Sequence, residues 1–189
     1  MKKSNAKLII FTGPSGVGKG TILKDFFNIA GNNIIYSISC TTRKPREGEI
    51  DGVHYFFKER DEFEQLIKED SFLEWANYSG NYYGTNKEFV ENNLQQGKSV
   101  LLEIELQGAM VVMQKCPDAV SIFIKPPTFE ELERRLRGRH SESEDAILKR
   151  LATAKDELRH IDIFDYVIEN DKIENAVKKL NEIYRKETE

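Results

Sequence analysis

Seven residues near the N-terminus, Gly13-Pro14-Ser15-Gly16-Val17-Gly18-Lys19, constrain this chain more than any other stretch. They follow an apolar run, Leu8–Thr12, and lead into a helical pattern beginning near Thr21. Glycines let a backbone wrap an anion with its N–H groups, and the N-terminus of the next helix adds favourable partial charge. A lysine ending such a loop reaches the outer phosphates of a nucleoside triphosphate. The strand–loop–helix context separates this pattern from an ordinary glycine-rich turn. It predicts a phosphate-binding loop from Gly13 to Lys19, with Gly20 and Thr21 at its exit. In such loops a Ser or Thr usually follows the lysine and ligates Mg²⁺, whereas here Gly20 does, with Thr21 next. Mg²⁺ keeps several waters and binds largely through substrate phosphates, so the missing hydroxyl is tolerable and the cation's protein ligands stay open.

Four further apolar, β-branched runs follow: Ile34–Ile38, Val100–Glu105, Val120–Lys125 and Tyr166–Glu169. Helical patterns over Thr21–Phe27, Asn86–Gln95, Ala109–Gln114, Thr128–Arg137 and Ile173–Tyr184 separate most of them. This alternation predicts an α/β fold, a parallel sheet flanked by helices, on one domain spanning residues 1–189. Two stretches break the rhythm. Residues 39–88 are rich in aromatics and polar groups, with Val53–Phe57 alternating like a half-buried antiparallel strand. They read as a small inserted α+β subdomain. Residues 128–159 read as a charge-dense helical segment, leaving 1–38, 89–127 and 160–189 as the core. Capping boxes are expected at Asp61/Glu64, Thr128/Glu131 and Ser141/Glu144.

Composition excludes several classes. Lys and Arg total 28 against 32 Asp and Glu, a net charge of -4, which argues against a surface built to hold nucleic acid. Apolar runs are strand-sized, far short of the roughly 20 residues that span a bilayer. Cys40 and Cys116 make neither a disulfide framework nor a metal-spacing pattern, which points to a reducing compartment, the cytoplasm.

Three further clusters carry chemistry. Arg43 and Arg46 stand three apart around a proline after the second strand run, and guanidinium forks suit capture of a phosphate dianion. Glu103 and Glu105, two apart on a strand, share a face and can look into one cleft at its C-terminal end. The segment 134–150 carries six basic and three acidic residues, a local charge of +3. Within it Arg135 and Arg139 share a helical face, while Arg134 and Arg137 read as solvated.

With Gly52-Val53-His54-Tyr55 and Glu74-Trp75-Ala76-Asn77-Tyr78-Ser79-Gly80-Asn81-Tyr82-Tyr83-Gly84-Thr85 added, the chain resembles guanylate kinases over nearly its whole length. The distinctive signature is Thr41-Thr42-Arg43-Lys44-Pro45-Arg46 followed by Gly80-Asn81-Tyr82-Tyr83-Gly84. The resemblance implies a P-loop kinase core with a monophosphate-binding insertion and a mobile lid. It implies that ATP phosphorylates GMP, and by resemblance dGMP, giving ADP and GDP with Mg²⁺, a step in GTP supply. Small-molecule substrates are then the expected partners, with neither nucleic acid nor membrane; the oligomeric state stays open.

Carried over by motif position, Arg43, Arg46, Tyr55 and Tyr83 would bind the GMP phosphate. Ser39, Glu74, Thr85 and the acidic pair Glu103 and Glu105 would surround guanine, with Glu105 a methylene longer than the family's usual Asp. Lys19, Arg43 and the lid arginines Arg135, Arg139 and Arg150 would serve transfer, and Asn170 would lie at the adenine pocket. A carboxylate only accepts, so Glu74 suits guanine N1–H and N2–H, while the Ser39 and Thr85 hydroxyls can donate to O6. Thr85 also reads as a helix N-cap completed by Glu88, and Tyr55 and Tyr83 also read as core aromatics. Scaffold modules resembling this family bind proteins without catalysis; the intact loop and arginine-rich segment favour an enzyme instead.

Overall fold

A computed structural model describes residues 5–78, 80–138 and 143–189. In chain order the elements are β1 (Leu8–Thr12), α1 (Lys19–Ile29), β2 (Ile34–Tyr36), β3 (Cys40–Thr41), β4 (Phe56–Phe57), α2 (Arg60–Lys68), β5 (Phe72–Tyr78), β6 (Asn81–Asn86) and α3 (Lys87–Gln95). They continue through β7 (Ser99–Glu103), α4 (Leu106–Lys115), β8 (Val120–Lys125), α5 (Phe129–Arg137), α6 (Glu144–Glu157), a 3-10 turn (Leu158–Ile163), β9 (Tyr166–Glu169) and α7 (Ile173–Thr188).

The central sheet has the order β2-β7-β1-β8-β9, with every pairing parallel. Side chains along β1 alternate between its two covered faces. Ile9 and Phe11 join Ile22, Phe26, Leu132 and Leu180 on one side. Leu8 and Ile10 join Val90, Ala109 and Val112 on the other. That double burial is why the strand reads as an unbroken apolar run. Each such side chain taken fully out of water is worth roughly 1.5–3 kcal/mol.

The connection leaving β1 travels past β7 to β2, whereas the connection leaving β7 travels past β1 to β8. Adjacent strands whose connections part in opposite directions open a crevice beyond their carboxyl ends. The Gly13–Lys19 loop follows β1 and the residues Glu103–Glu105 follow β7, so both reach that crevice.

A second sheet, ordered β4-β3-β6-β5, is built from the stretch that broke the sequence rhythm. Its core is Cys40, Phe63 and Phe72, with Phe63 stacked on Phe72 at 4.4 Å and on Tyr82 at 5.3 Å. The expected antiparallel strand Val53–Phe57 is mostly a turn. Only Phe56–Phe57 form a strand, and they pair parallel to β3. Helix α2 starts one residue before Asp61, with Glu59 in the N-cap position, so the Asp61/Glu64 box does not form. Half of the Thr128 box does: Thr128 Oγ1 accepts the Glu131 N–H at 3.1 Å, while the Glu131 carboxylate goes to Arg134 and Arg135. Ser143 caps α6, and Ser141 lies outside the described residues. No helix among the described residues is long and apolar enough to cross a membrane.

Candidate active site

The loop after β1 takes a shape that glycine alone permits. Gly13 has φ +152°, and a Cβ there would stand 2.2 Å from the Ile124 carbonyl oxygen on β8. Gly18, at φ +101°, occupies the N-cap position of α1 in the left-handed region. The first N–H groups of α1 therefore face the loop without a side-chain cap, as an anion site requires. Lys19 Nζ donates to the Gly13 carbonyl at 2.5 Å and the Pro14 carbonyl at 3.3 Å, so its ammonium lies across the loop.

Three side chains brace the loop from outside. Asn170, buried after β9, donates from Nδ2 to the Val17 carbonyl at 2.7 Å. Arg135 on α5 reaches the same carbonyl at 3.3 Å and the Asn170 carbonyl at 3.1 Å, and Glu131 holds its Nε at 2.8 Å. Arg150 on α6 donates to Ser15 Oγ at 2.6 Å. Arg134 and Arg137 pair with Glu131 and with Glu133 and Glu144 on the solvated side. Arg139 lies outside the described residues.

Glu103 and Glu105 part company. Strand β7 ends at Glu103, and Glu105 instead takes the N-cap position of α4. Glu103 Oε2 accepts the Tyr36 hydroxyl at 3.1 Å; burial, and then this carboxylate, raise the Tyr36 hydroxyl's pKa. Glu105 faces Glu157, a buried carboxyl at the end of α6 that also faces Lys19. Burial, then the Glu105 charge, push Glu157 up to about 7, with Lys19 opposing.

On the small sheet, Glu74 is buried in β5 opposite Thr85 of β6. Thr85 Oγ1 donates to Glu74 Oε1 at 2.7 Å, and the cap of α3 is Asn86, whose side chain accepts the Phe89 N–H at 2.8 Å. Thr85 is thus no N-cap. Its one hydroxyl proton is spent on Glu74, leaving lone pairs rather than a donor for a base carbonyl. Burial raises the Glu74 carboxyl, and the Thr85 hydrogen bonds pull it back. The Glu74 carboxylate also lies on Gly108 in the first turn of α4, where a Cβ would stand 2.7 Å from Oε2. Ser39 is half-buried between β2 and β3, its carbonyl accepting the Phe56 N–H at 2.9 Å.

Arg43, Tyr55 and Tyr83 come together. The two tyrosine rings meet edge to face at 6.1 Å, and the Arg43 guanidinium lies 5.3 Å over Tyr55. The Glu49 carboxylate and, less strongly, the Tyr83 hydroxyl both favour the charged form of that guanidinium. Arg46 is exposed on the same turn.

A phosphate loop, an acid-and-aromatic second sheet and braces from α5 and α6 thus converge on the crevice between β1 and β7. Across the chain, the family model described as guanylate kinase matches residues 5–187. The chain belongs to the guanylate kinase family. A guanylate kinase of Bacillus cereus is 52% identical over 183 residues, covering 97% of this chain and 89% of that protein. One from Bacillus subtilis is 50% identical over 181 residues, covering 96% and 89%. Among solved structures, guanylate kinase from Anaplasma phagocytophilum superposes with a TM-score of 0.79 at 35% identity, covering 100% of this chain and 89% of that one.

Three residues of this guanylate kinase fold escaped sequence reasoning. Glu157 sits in the charge-dense segment 128–159 with nothing to single it out, Tyr36 looked like a strand residue, and Glu49 carries no motif signal beyond standing three residues after Arg46. Mg²⁺ fits the donor set as a cation carried on phosphate. The described residues gather no group of three or more His, Cys, Asp or Glu side chains that could hold a metal, and Gly20 offers no hydroxyl.

Proposed function

We propose that the chain transfers the γ-phosphoryl group of ATP to GMP, giving ADP and GDP. The observation that carries this reading is the buried Glu74–Thr85 pair on a sheet that also presents Arg43, Tyr55 and Tyr83, opposite a phosphate loop. Guanine offers two adjacent donors, N1–H and N2–H, and Glu74 is an acceptor fixed by a hydroxyl behind it. Ser39 supplies the donor for O6. Adenine in that place would present a lone pair to the carboxylate and lose the N2 donor. Sites whose buried polar groups are left unpaired in this way discriminate by roughly 10⁴-fold or more. The base of dGMP is identical, so dGMP is proposed as a second acceptor.

Residues 39–88 serve as the GMP-binding insertion and 128–159 as a helical lid, with the remainder as core. Residues of the lid, Arg135, Arg139 and Arg150, are assigned to the transferring phosphates, and Asn170 to the adenine end. A GMP phosphate oxygen attacks the γ-phosphorus of ATP and the β–γ bridging oxygen leaves with ADP. The acceptor is already an anion at neutral pH, so no general base is needed. Loop N–H groups, Lys19 and the arginines hold the reactants in line and meet the charge on the equatorial oxygens. Mg²⁺, bound through phosphates and water, would neutralise part of that charge. This reading makes the chain an enzyme acting on small molecules, with the cytoplasm, inferred from the cysteine pattern, as its proposed compartment.

The test is coupled ADP formation with Mg-ATP and GMP, dGMP, AMP or UMP as acceptor. Turnover with GMP and dGMP, and a loss of roughly 10⁴ in kcat/KM with AMP, is expected. Comparable turnover on AMP or UMP overturns the Glu74 assignment.

A further inference from the structure

We propose that Glu49 is a positioning residue for the acceptor monophosphate, acting through Arg43 and the Arg43–Arg46 turn. The inference rests on the reading above, in which Arg43 takes the GMP phosphate. Arg43, Arg46 and Glu49 stand three residues apart, and a single carboxylate ties them together. Glu49 Oε1 accepts from Arg43 Nη2 at 2.8 Å, and Oε2 accepts from Nη1 at 2.9 Å. The same Oε2 accepts the backbone N–H of Arg46 at 2.7 Å, and the Glu49 N–H returns to the Arg46 carbonyl at 3.0 Å.

The consequence follows from counting guanidinium protons. Arg43 has five N–H groups in one plane. Glu49 takes one from each terminal nitrogen, and the Lys44 carbonyl takes the second Nη1 proton at 2.8 Å. These bonds leave Nε–H and the second Nη2–H, which lie side by side as a fork suited to two oxygens of one phosphate. Tyr55 and Phe57 lie against the guanidinium at 5.3 and 5.9 Å. Glu49 therefore sets which edge of Arg43 faces outward.

Stability alone is a weak reason for the pair, since partly exposed ion pairs contribute little. A carboxylate beside an anion site also repels the ligand. Its placement makes sense if alignment of the fork outweighs that repulsion.

Steady-state kinetics in GMP and in ATP on the full chain test this with Glu49→Gln, Glu49→Asp, Arg43→Ala and the double variant Glu49→Gln/Arg43→Ala. Inhibition by guanosine, which has the base but no phosphate, reports the guanine site separately. We expect Glu49→Gln to raise the GMP KM about tenfold, with ATP KM and guanosine inhibition changed less than about twofold. In the Arg43→Ala background the same change should add almost nothing, because the two act as a unit. An unchanged or lowered GMP KM in Glu49→Gln, with Arg43→Ala still raising it, overturns the inference while leaving the phosphate site standing. Guanosine inhibition weakening in parallel with GMP overturns it too, showing a general collapse of the insertion. If Arg43→Ala leaves the GMP KM unchanged, the phosphate-site reading itself falls, and Glu49 with it. Glu49→Asp, keeping the charge on a shorter arm, should lie between wild type and Glu49→Gln; a Glu49→Asp GMP KM above that of Glu49→Gln counts against alignment.

Discussion

Replacing Glu157 with glutamine should make the protein more stable at alkaline pH and leave it nearly unchanged in acid. Glu157 is 7% exposed at the end of α6. Burial, then the charge on Glu105, raise its carboxyl from 4.5 to about 7; Lys19 opposes and Asp156 adds a smaller push upward. Unfolding returns the group to its ordinary value. Between those two pH values the folded protein holds a proton that the unfolded chain does not, so stability falls as pH rises. The contribution of the protonated carboxyl is fully present below pH 4.5 and is lost as pH climbs through about 7. At about 1.4 kcal/mol per pH unit, the full swing is about 3 kcal/mol. Glutamine keeps the shape without the charge. The variant's advantage should therefore grow by about 3 kcal/mol between acid and pH 8, a gain of roughly 6–12 °C in Tm for a chain of this size. Urea unfolding of both proteins across about pH 5 to 8 measures it, provided the m-values agree. A stability difference that stays flat across that range refutes the reasoning, because it would mean that Glu157 ionises as it does in water.

Glu74→Gln places a donor amide where two guanine donors must be met. A lost buried acceptor is worth about 1–3 kcal/mol, so GMP KM should rise roughly ten- to hundredfold while ATP KM holds, as read by initial rates. Gly13→Ala drives a methyl to 2.2 Å from the Ile124 carbonyl and demands a left-handed φ of an alanine. Thermal unfolding should show a loss of at least about 1 kcal/mol, and ATP binding should weaken in titration calorimetry. Gly20→Ser meets nothing within 4 Å. Its stability should stay within about 0.5 kcal/mol of wild type, and the Mg²⁺ concentration for half-maximal rate should fall; an unmoved Mg²⁺ curve means the hydroxyl does not reach the cation.

Local signals carried the centre of the fold. The run Leu8–Thr12, the glycine spacing and the start of α1 are neighbours in sequence, and their pattern needs no distant partner to be read. Capping at Thr128 was legible for the same reason. The departures all turn on long-range contacts. Thr85 and Asn86 are adjacent and both suit a helix start; the choice is made by Glu74, eleven residues upstream, which claims the Thr85 hydroxyl. Alternation in Val53–Phe57 looks like a strand, yet the turn at Gly52 and pairing of Phe56 with Cys40 shorten it to two residues. Glu103 and Glu105 appear as one pair in the sequence, but the chain turns into α4 between them and their partners lie on different elements. Glu49 and Glu157 are charged residues in charged stretches, and only the fold distinguishes them from their solvated neighbours.

Glu74 belongs to the small sheet, and Gly108, on which its carboxylate rests, belongs to a helix of the central one. The carboxylate proposed to read the base thus also forms a contact between the two layers. A ligand that drew the carboxylate toward itself would also act on that contact, so the proposed recognition of guanine would be felt where the two layers touch. Any side chain at position 108 would act as a wedge under the door, spoiling fit and fidelity together.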